Sequence, residues 1–161
     1  YEITCRDWSS DVSSSDLASN VESVAVIAFG LLAGLLGKSL GVARLLAAGS
    51  VAGLLSLLLH AAAPAVSWVL AAAAFKGAGD ASIAASSYAY AASLIPPEKR
   101  GRWFAAYNAT FFLSWGVSAT FVTGPLIDGL MRAGTGAVAA YRAGFVSAAL
   151  LVVLEIGRAH V

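Results

Sequence analysis

Two ionisable residues inside one long apolar stretch are the strongest candidates for chemistry in this sequence. Lys76 and Asp80 are four residues apart, so on a helix they share a face, and that face continues through Ser87 and Tyr90. An ionisable side chain within a membrane costs roughly 2.5 to 3.5 kcal/mol and therefore indicates a functional site. We predict that these four residues line a pathway for a solute or a proton. The alternative is a structural ion pair between Lys76 and Asp80 that meets no substrate.

Other kinds of chemistry lack the residues that they require. The sequence has no Ser-His-Asp set and no His or Cys cluster with metal-binding spacing, and the run Lys76-Gly77-Ala78-Gly79 has neither a Ser or Thr after its Lys nor a preceding strand. The few Lys and Arg residues are dispersed rather than gathered in a basic patch. We therefore expect no catalytic residue, no enzyme activity, no metal, no cofactor and no nucleic-acid partner.

The composition indicates the elements that must position the candidate residues. Of 161 residues, 59% are hydrophobic and 12% charged, which excludes a soluble enzyme and a disordered chain. Backbone polar groups in lipid must be satisfied within the segment, so the spanning elements are helices. We predict an all-α fold, a polytopic membrane bundle surrounded by lipid in a plasma membrane of bacterial type. Its domain is residues 18–154, with five transmembrane helices at about 23–40, 43–63, 66–95, 103–131 and 139–154.

Prolines and basic residues predict where helices end and how they are oriented. Pro64 follows the second helix, and Pro96-Pro97 removes two backbone donors and closes the third. The positive-inside rule places the first and third connections in the cytoplasm. These two connections carry Lys38, Arg44, Lys99, Arg100 and Arg102, against Arg132 and Arg142 around the fourth.

Small residues predict how the helices pack. Gly30 and Gly34, and then Gly37 and Gly41, are four apart, the spacing that lets helix backbones approach closely in lipid. Both a static and a sliding interface fit this spacing. We expect Tyr88 and Ser82 to form hydrogen bonds with neighbouring helices. Tyr107 and Asn108 are assigned to helix packing, and the alternative is that they reach the cytoplasmic mouth.

Three stretches resemble one half of a major facilitator superfamily transporter. Gly34 to Arg44 is similar to the family's cytoplasmic loop motif through Gly34, Gly41 and Arg44, although Lys38 stands where the family has Asp and Ser39 where it has its first Arg. Pro97, Glu98, Arg100 and Gly101 resemble the next cytoplasmic loop, and Gly124-Pro125 resembles a helix-packing motif in the following helix.

The resemblance implies a fold, a function and a partner. The family has twelve helices in two halves, so this chain would be a truncated half, the C-terminal half being favoured over the N-terminal one. The other half would then be its missing partner. The implied function is secondary active transport of a small solute by alternating access, with proton coupling as one mode. A membrane structural or partner-binding subunit without transport activity is the alternative.

Both ends resemble a sequencing-library adapter. Residues 155–161 can be encoded by part of such an adapter, and its reverse complement encodes a heptapeptide that agrees with Asp11–Leu17 at six of seven positions. We therefore interpret residues 1–17 as an adapter-like or disordered polar segment and residues 155–161 as an adapter-like segment, and exclude both from the fold.

Overall fold

The protein is all-α in a computed structural model, as the sequence predicts. The structure describes the backbone of residues 5–158 and the side chains of residues 15–114, 116–118 and 120–154, and no strand occurs in this part of the chain. Its six α-helices are α1 (Cys5–Leu40), α2 (Val42–Ala62), α3 (Val66–Leu94), α4 (Arg100–Ser118), α5 (Gly124–Arg132) and α6 (Ala137–Arg158). A 3-10 turn, Pro97–Lys99, precedes α4, and a π-helical turn, Ala119–Thr123, joins α4 to α5.

The bounds of α2 and α3 lie within about a residue of the predicted ones, whereas α1 begins much earlier. It starts at Cys5 rather than near Ser23. Residues 1–4 and 159–161 of the two adapter-like segments lie outside the described residues, and residues 5–17 and 155–158 belong to α1 and α6. The origin of these segments in an adapter stays a prediction.

Four helical segments of the described chain are long and apolar enough to cross a membrane. They are Ser15–Leu40, Val42–Ala62, Pro97–Arg132 and Ala137–Leu154. Helix α3 has 29 residues, about 43 Å at 1.5 Å per residue, which is long enough to span a membrane, but it is not one of these four segments. Large apolar side chains are exposed along the four segments, among them Leu35, Leu58 and Leu150. Such a surface suits lipid rather than water, so the chain is a multi-pass membrane protein.

Helix α3 is the centre of the bundle and packs against both α1 and α2. It runs parallel to α1, since Gly77 approaches Ala25 and Ala81 faces Gly30. It runs antiparallel to α2, since Ser82 approaches Gly49 while Ala72 accepts a hydrogen bond of 2.8 Å from Ser56. Helix α3, which carries Lys76 and Asp80, is therefore covered on two sides by neighbouring helices.

The closest helix packing is not at the glycines that the sequence analysis selected. A Cβ atom at Gly34, Gly37 or Gly41 would meet no atom within 4 Å, and one at Gly30 would only touch Ala81 at 4.0 Å. Tight contacts lie on both sides of α3 instead: a Cβ at Gly77 would overlap the backbone of Glu22 on α1, and a Cβ at Gly79 would lie 2.9 Å from the Gly49 oxygen and from the Gly53 nitrogen on α2. Gly49 and Gly53 are also four apart, so the packing rule holds but applies to another pair.

Gly41 has a conformational role instead. Its φ of +80° lies in the left-handed region, where a side chain is strained, and it stands between α1 and α2. The reversal from α1 into α2 therefore takes a single residue.

Gly124 and Pro125 begin α5 directly after the π-helical turn. Proline has no backbone N–H, and its ring crowds the carbonyl four residues earlier, here that of Phe121. A π turn widens the helix at such a place. The fourth predicted helix, 103–131, is thus two α-helices joined by an irregular turn.

Candidate functional site

Three charged side chains form an ionic cluster near the middle of α3. Lys76 donates to Oε1 of Glu22 on α1 at 2.5 Å and to Oδ2 of Asp80 at 2.9 Å. The side chains of Lys76 and Glu22 are each 33% exposed, and that of Asp80 is 46% exposed. We call Glu22, Lys76 and Asp80 the triad. Its formal charge is −1, because two carboxylates share one ammonium group.

Glycine packing sets the distance across the triad. A Cβ atom at Gly77 would lie 2.4 Å from the backbone oxygen of Glu22 and 3.0 Å from the nitrogen of Val26, so only glycine fits there without a shift of the helices. The neighbouring residue Lys76 is thereby held close enough to α1 to reach Glu22. The two helices are joined by close backbone contact and by an ion pair at the same level.

A cavity of about 250 Å³ lies between α3 and α4, and Asp80 is part of its wall. The rest of the wall is mostly aromatic and apolar. The lining residues are Asp80, Ile83, Ala84, Tyr88, Tyr107, Asn108, Phe111 and Phe112. The cavity therefore combines one acidic group with four aromatic rings.

Tyr88 connects α3 to α4 at one end of this cavity. Its hydroxyl donates to Oδ1 of Asn108. Its ring makes edge contacts with Phe104 and Tyr107, with centroid separations of 5.4 and 5.5 Å. The assignment of Tyr88 and Asn108 to helix contacts is confirmed, but both residues also line the cavity. The hydroxyl of Ser82 donates to the carbonyl oxygen of Ala78 within α3 at 2.8 Å, so the expected hydrogen bond to a neighbouring helix is wrong.

The structure separates the four predicted pathway residues. Lys76 and Asp80 meet, and Asp80 reaches the cavity. Ser87 is half-buried and Tyr90 is 59% exposed, and neither lines the cavity. Sequence reasoning missed Glu22, which lies 54 residues from its partner and directly before the first predicted helix, 23–40.

The residues of the cytoplasmic loop motifs lie together at one end of the bundle, because α1 and α3 are parallel and both end there. Arg44 is exposed in the first turn of α2. Pro97 and Glu98 are exposed in the 3-10 turn, and Gly101 lies in the first turn of α4 in open space.

Arg100 has a structural role at this end. Its guanidinium donates to the carbonyl oxygens of Ala92 at 2.8 Å and Ile95 at 3.1 Å. A cation at the carboxyl end of a helix satisfies carbonyl groups that have no partner within the helix. Ile95 is extended, with φ −101° and ψ 126°, as expected for a residue before proline. Arg100 and Pro96 together end α3.

At the opposite end, α2 contacts α6 through polar and aromatic groups. Arg142 donates to the carbonyl oxygen of Ala63 at 3.0 Å, and the His60 ring stacks on Phe145 at 4.9 Å between centroids. These contacts fix the two helix ends to each other. Among the residues that the structure describes, no group of three or more His, Cys, Asp or Glu could hold a metal ion.

The fold and the site define a class: a multi-pass helical membrane protein with a charged cluster and a cavity at mid-helix depth. Comparison with known families gives the family itself, because the model of the Major Facilitator Superfamily matches residues 6–157. The chain belongs to this superfamily and is a transporter of the major facilitator type. The searches of curated proteins and of solved structures found no match.

Proposed function

We propose that this chain forms one half of a secondary active transporter that moves a small solute by alternating access, coupled to protons through Asp80. It would act with a second half of the same transporter in a plasma membrane of bacterial type. The observation that carries the proposal is the position of Asp80, which is the fifteenth of the 29 residues of α3, lies in the cavity wall and is paired with Lys76.

The triad gives Asp80 a way to change charge without leaving a bare cation. When Asp80 is ionised, the triad carries −1. When Asp80 takes up a proton, Lys76 keeps its ion pair with Glu22 and the triad becomes neutral. Without Glu22, protonation of Asp80 would leave Lys76 as an uncompensated cation, which is expensive in a membrane. Protonation without a bare cation is the property that a proton-coupling carboxylate needs.

Ser87 and Tyr90 lie nearer the carboxyl end of α3, which Lys99 and Arg100 follow, and the proposal includes them as pathway residues. Neither lines the cavity between α3 and α4. We propose that they face the second half of the transporter and continue the pathway from there. Gly34, in the last two turns of α1, and Gly41, which joins α1 to α2, are proposed as parts of a segment that moves during the transport cycle.

The alternative is a structural or partner-binding membrane subunit in which the triad is a static ionic cluster. One observation favours it: Lys76 already has two carboxylate partners without any solute. In this alternative the charges serve only packing, and neutral side chains of similar size would replace them without loss of function.

Proteoliposomes that contain the complete transporter and a trapped pH-sensitive dye test the proposal. A panel of organic cations, organic anions and neutral sugars is added outside, and solute-dependent proton flux is measured. Asp80→Asn should abolish proton flux and concentrative uptake while solute exchange continues, because exchange needs no net proton movement. Asp128→Asn is the matched control, since this exposed carboxylate lies on α5 and outside the cavity, and it should behave as wild type.

The alternative has its own test in the same assay. A triple variant, Glu22→Gln with Lys76→Met and Asp80→Asn, removes all three charges and leaves none unpaired. Full transport by this variant would show that the triad serves only packing and would contradict proton coupling through Asp80. A double change of Lys76 and Asp80 alone would not distinguish the two functions, because Glu22 would be left as an unpaired charge.

A further inference from the structure

We infer that the cavity between α3 and α4 binds an organic monocation whose charged centre carries apolar groups, such as a quaternary ammonium. The inference rests on the proposed function and names the substrate class of that site. It is carried by two features of the described residues: the negative charge of the triad and the aromatic wall beside Asp80.

The charge of the triad selects against anions. Lys76 is the cation of the cluster, and it already contacts Glu22 and Asp80 at 2.5 and 2.9 Å. An anionic solute would have to displace one of these carboxylates or bind beside both. A monocation next to Asp80 would instead bring the triad and its ligand to a net charge of zero, which is the favourable state in a medium of low dielectric constant.

The wall of the cavity suits a cation that has no hydrogen-bonding groups. The hydroxyl of Tyr88 donates to the amide oxygen of Asn108, so these two polar groups are already hydrogen-bonded to each other. The remaining surface is formed by Ile83, Ala84 and the rings of Tyr107, Phe111 and Phe112. Aromatic faces attract cations through their quadrupole, and aromatic cages are a common means of binding quaternary ammonium groups.

Benzyltrimethylammonium and benzylsulfonate are a matched pair of probes. Both have one aromatic ring and a compact head group of similar shape, and they differ in the sign of the charge. The binding of each to the complete transporter, purified in detergent, is measured by equilibrium dialysis. We expect the cation to bind at least tenfold more tightly than the anion. Equal binding, or tighter binding of the anion, would overturn the inference.

Substitutions of residues that line the cavity test whether benzyltrimethylammonium binds there. Asp80→Asn should weaken binding of the cation about tenfold or more. Tyr107→Leu should weaken it about two- to tenfold, while Tyr107→Phe should stay within about twofold because it keeps the ring. Phe121→Leu is the control, since this residue is 73% exposed and lies outside the cavity. Unchanged binding in Tyr107→Leu and Asp80→Asn would place the site elsewhere and overturn the inference.

Dialysis needs no gradient and no transport, so its result is independent of proton coupling. Selective, Asp80-dependent binding of the cation without proton-coupled transport would support the inference and contradict the proposed function. Asp80-dependent, proton-coupled transport of an anion or a sugar, with no binding of benzyltrimethylammonium, would support the function and overturn the inference. Variants that lose their melting transition in a thermal assay are replaced by Phe112→Leu, which tests the same wall and should weaken cation binding about two- to tenfold.

Discussion

Lys76 shows what can and cannot be read from the spacing of residues. A separation of four places Lys76 and Asp80 on one helix face, and they do form an ion pair. The same spacing contains no information about neighbouring helices, and Glu22 on α1 is the closer partner. The sequence predicts a pair with no net charge, whereas the structure has a triad with a formal charge of −1. The site is therefore expected to attract a cation or a proton, which a neutral ion pair would not do.

Gly77 permits the first prediction at this scale. Gly77→Ala should lower the free energy of unfolding by about 1 to 3 kcal/mol, because its Cβ would overlap the backbone of α1 and force the helices apart. The separation should also lengthen the contact between Lys76 and Glu22. Thermal unfolding of the purified transporter measures the effect.

Gly34→Ala is the control for that substitution. A Cβ at Gly34 would meet nothing within 4 Å, and alanine favours helix more than glycine does, so this variant should be unchanged or more stable by up to about 1 kcal/mol. If Gly77→Ala were as stable as Gly34→Ala, the close approach of α1 and α3 would be wrong.

At the scale of elements, the helix ends at proline were the most predictable features. The end of α3 follows from Pro96, which cannot continue a helix and keeps Ile95 extended. The hydrogen bonds of Arg100 to this end were not predictable, because they depend on a side chain that folds back over a turn. The π-helical turn before Gly124 was also missed, since hydropathy runs through it without a break.

The direction of the helices leads to a prediction about topology. Residues 101 and 65 lie at opposite ends of the bundle, because α3 runs between them and spans about 43 Å. Single cysteines introduced at Gly101 and Ala65 in the complete transporter, with its own cysteines replaced by Ser, should therefore react with an impermeant thiol reagent from opposite sides of the membrane. The five basic residues at the Gly101 end place that end in the cytoplasm.

The labelling experiment has a clear contrary result. Reaction of both cysteines from the same side would mean that α3 does not span the membrane. Asp80 would then not lie at mid-membrane depth, and the argument for a coupling site there would lose its basis. A cysteine at Gly136, which follows α5 and lies at the Ala65 end, is a second control for the outer side.

For the whole molecule, composition was sufficient for the fold class and not for the arrangement. An apolar chain in lipid has to be helical, so the all-α bundle follows from hydropathy. That α3 lies between α1 and α2 does not follow, because it depends on Gly49, Gly53, Gly77 and Gly79, and glycines occur in almost every helix of this sequence. Of the candidate site, the sequence therefore indicated Lys76 and Asp80, and it missed Glu22 on α1 and the aromatic wall of the cavity.

The last prediction concerns the extent of the gene. If this chain is half of a transporter, the complete reading frame should contain a second block of about six apolar helices, upstream or downstream, whose helices cover the exposed side of the cavity where Phe112 is 69% exposed. Sequencing across the genomic locus should show that the frame continues past Leu154 with residues unrelated to Glu155–Val161. It should also show that the residues before Ala18 are unrelated to Asp11–Leu17. Genomic DNA that encodes Glu155–Val161 would refute the adapter origin of that end. A complete frame without a second helical block would favour the structural subunit, because a site at mid-membrane depth needs walls from both halves to open to one side at a time.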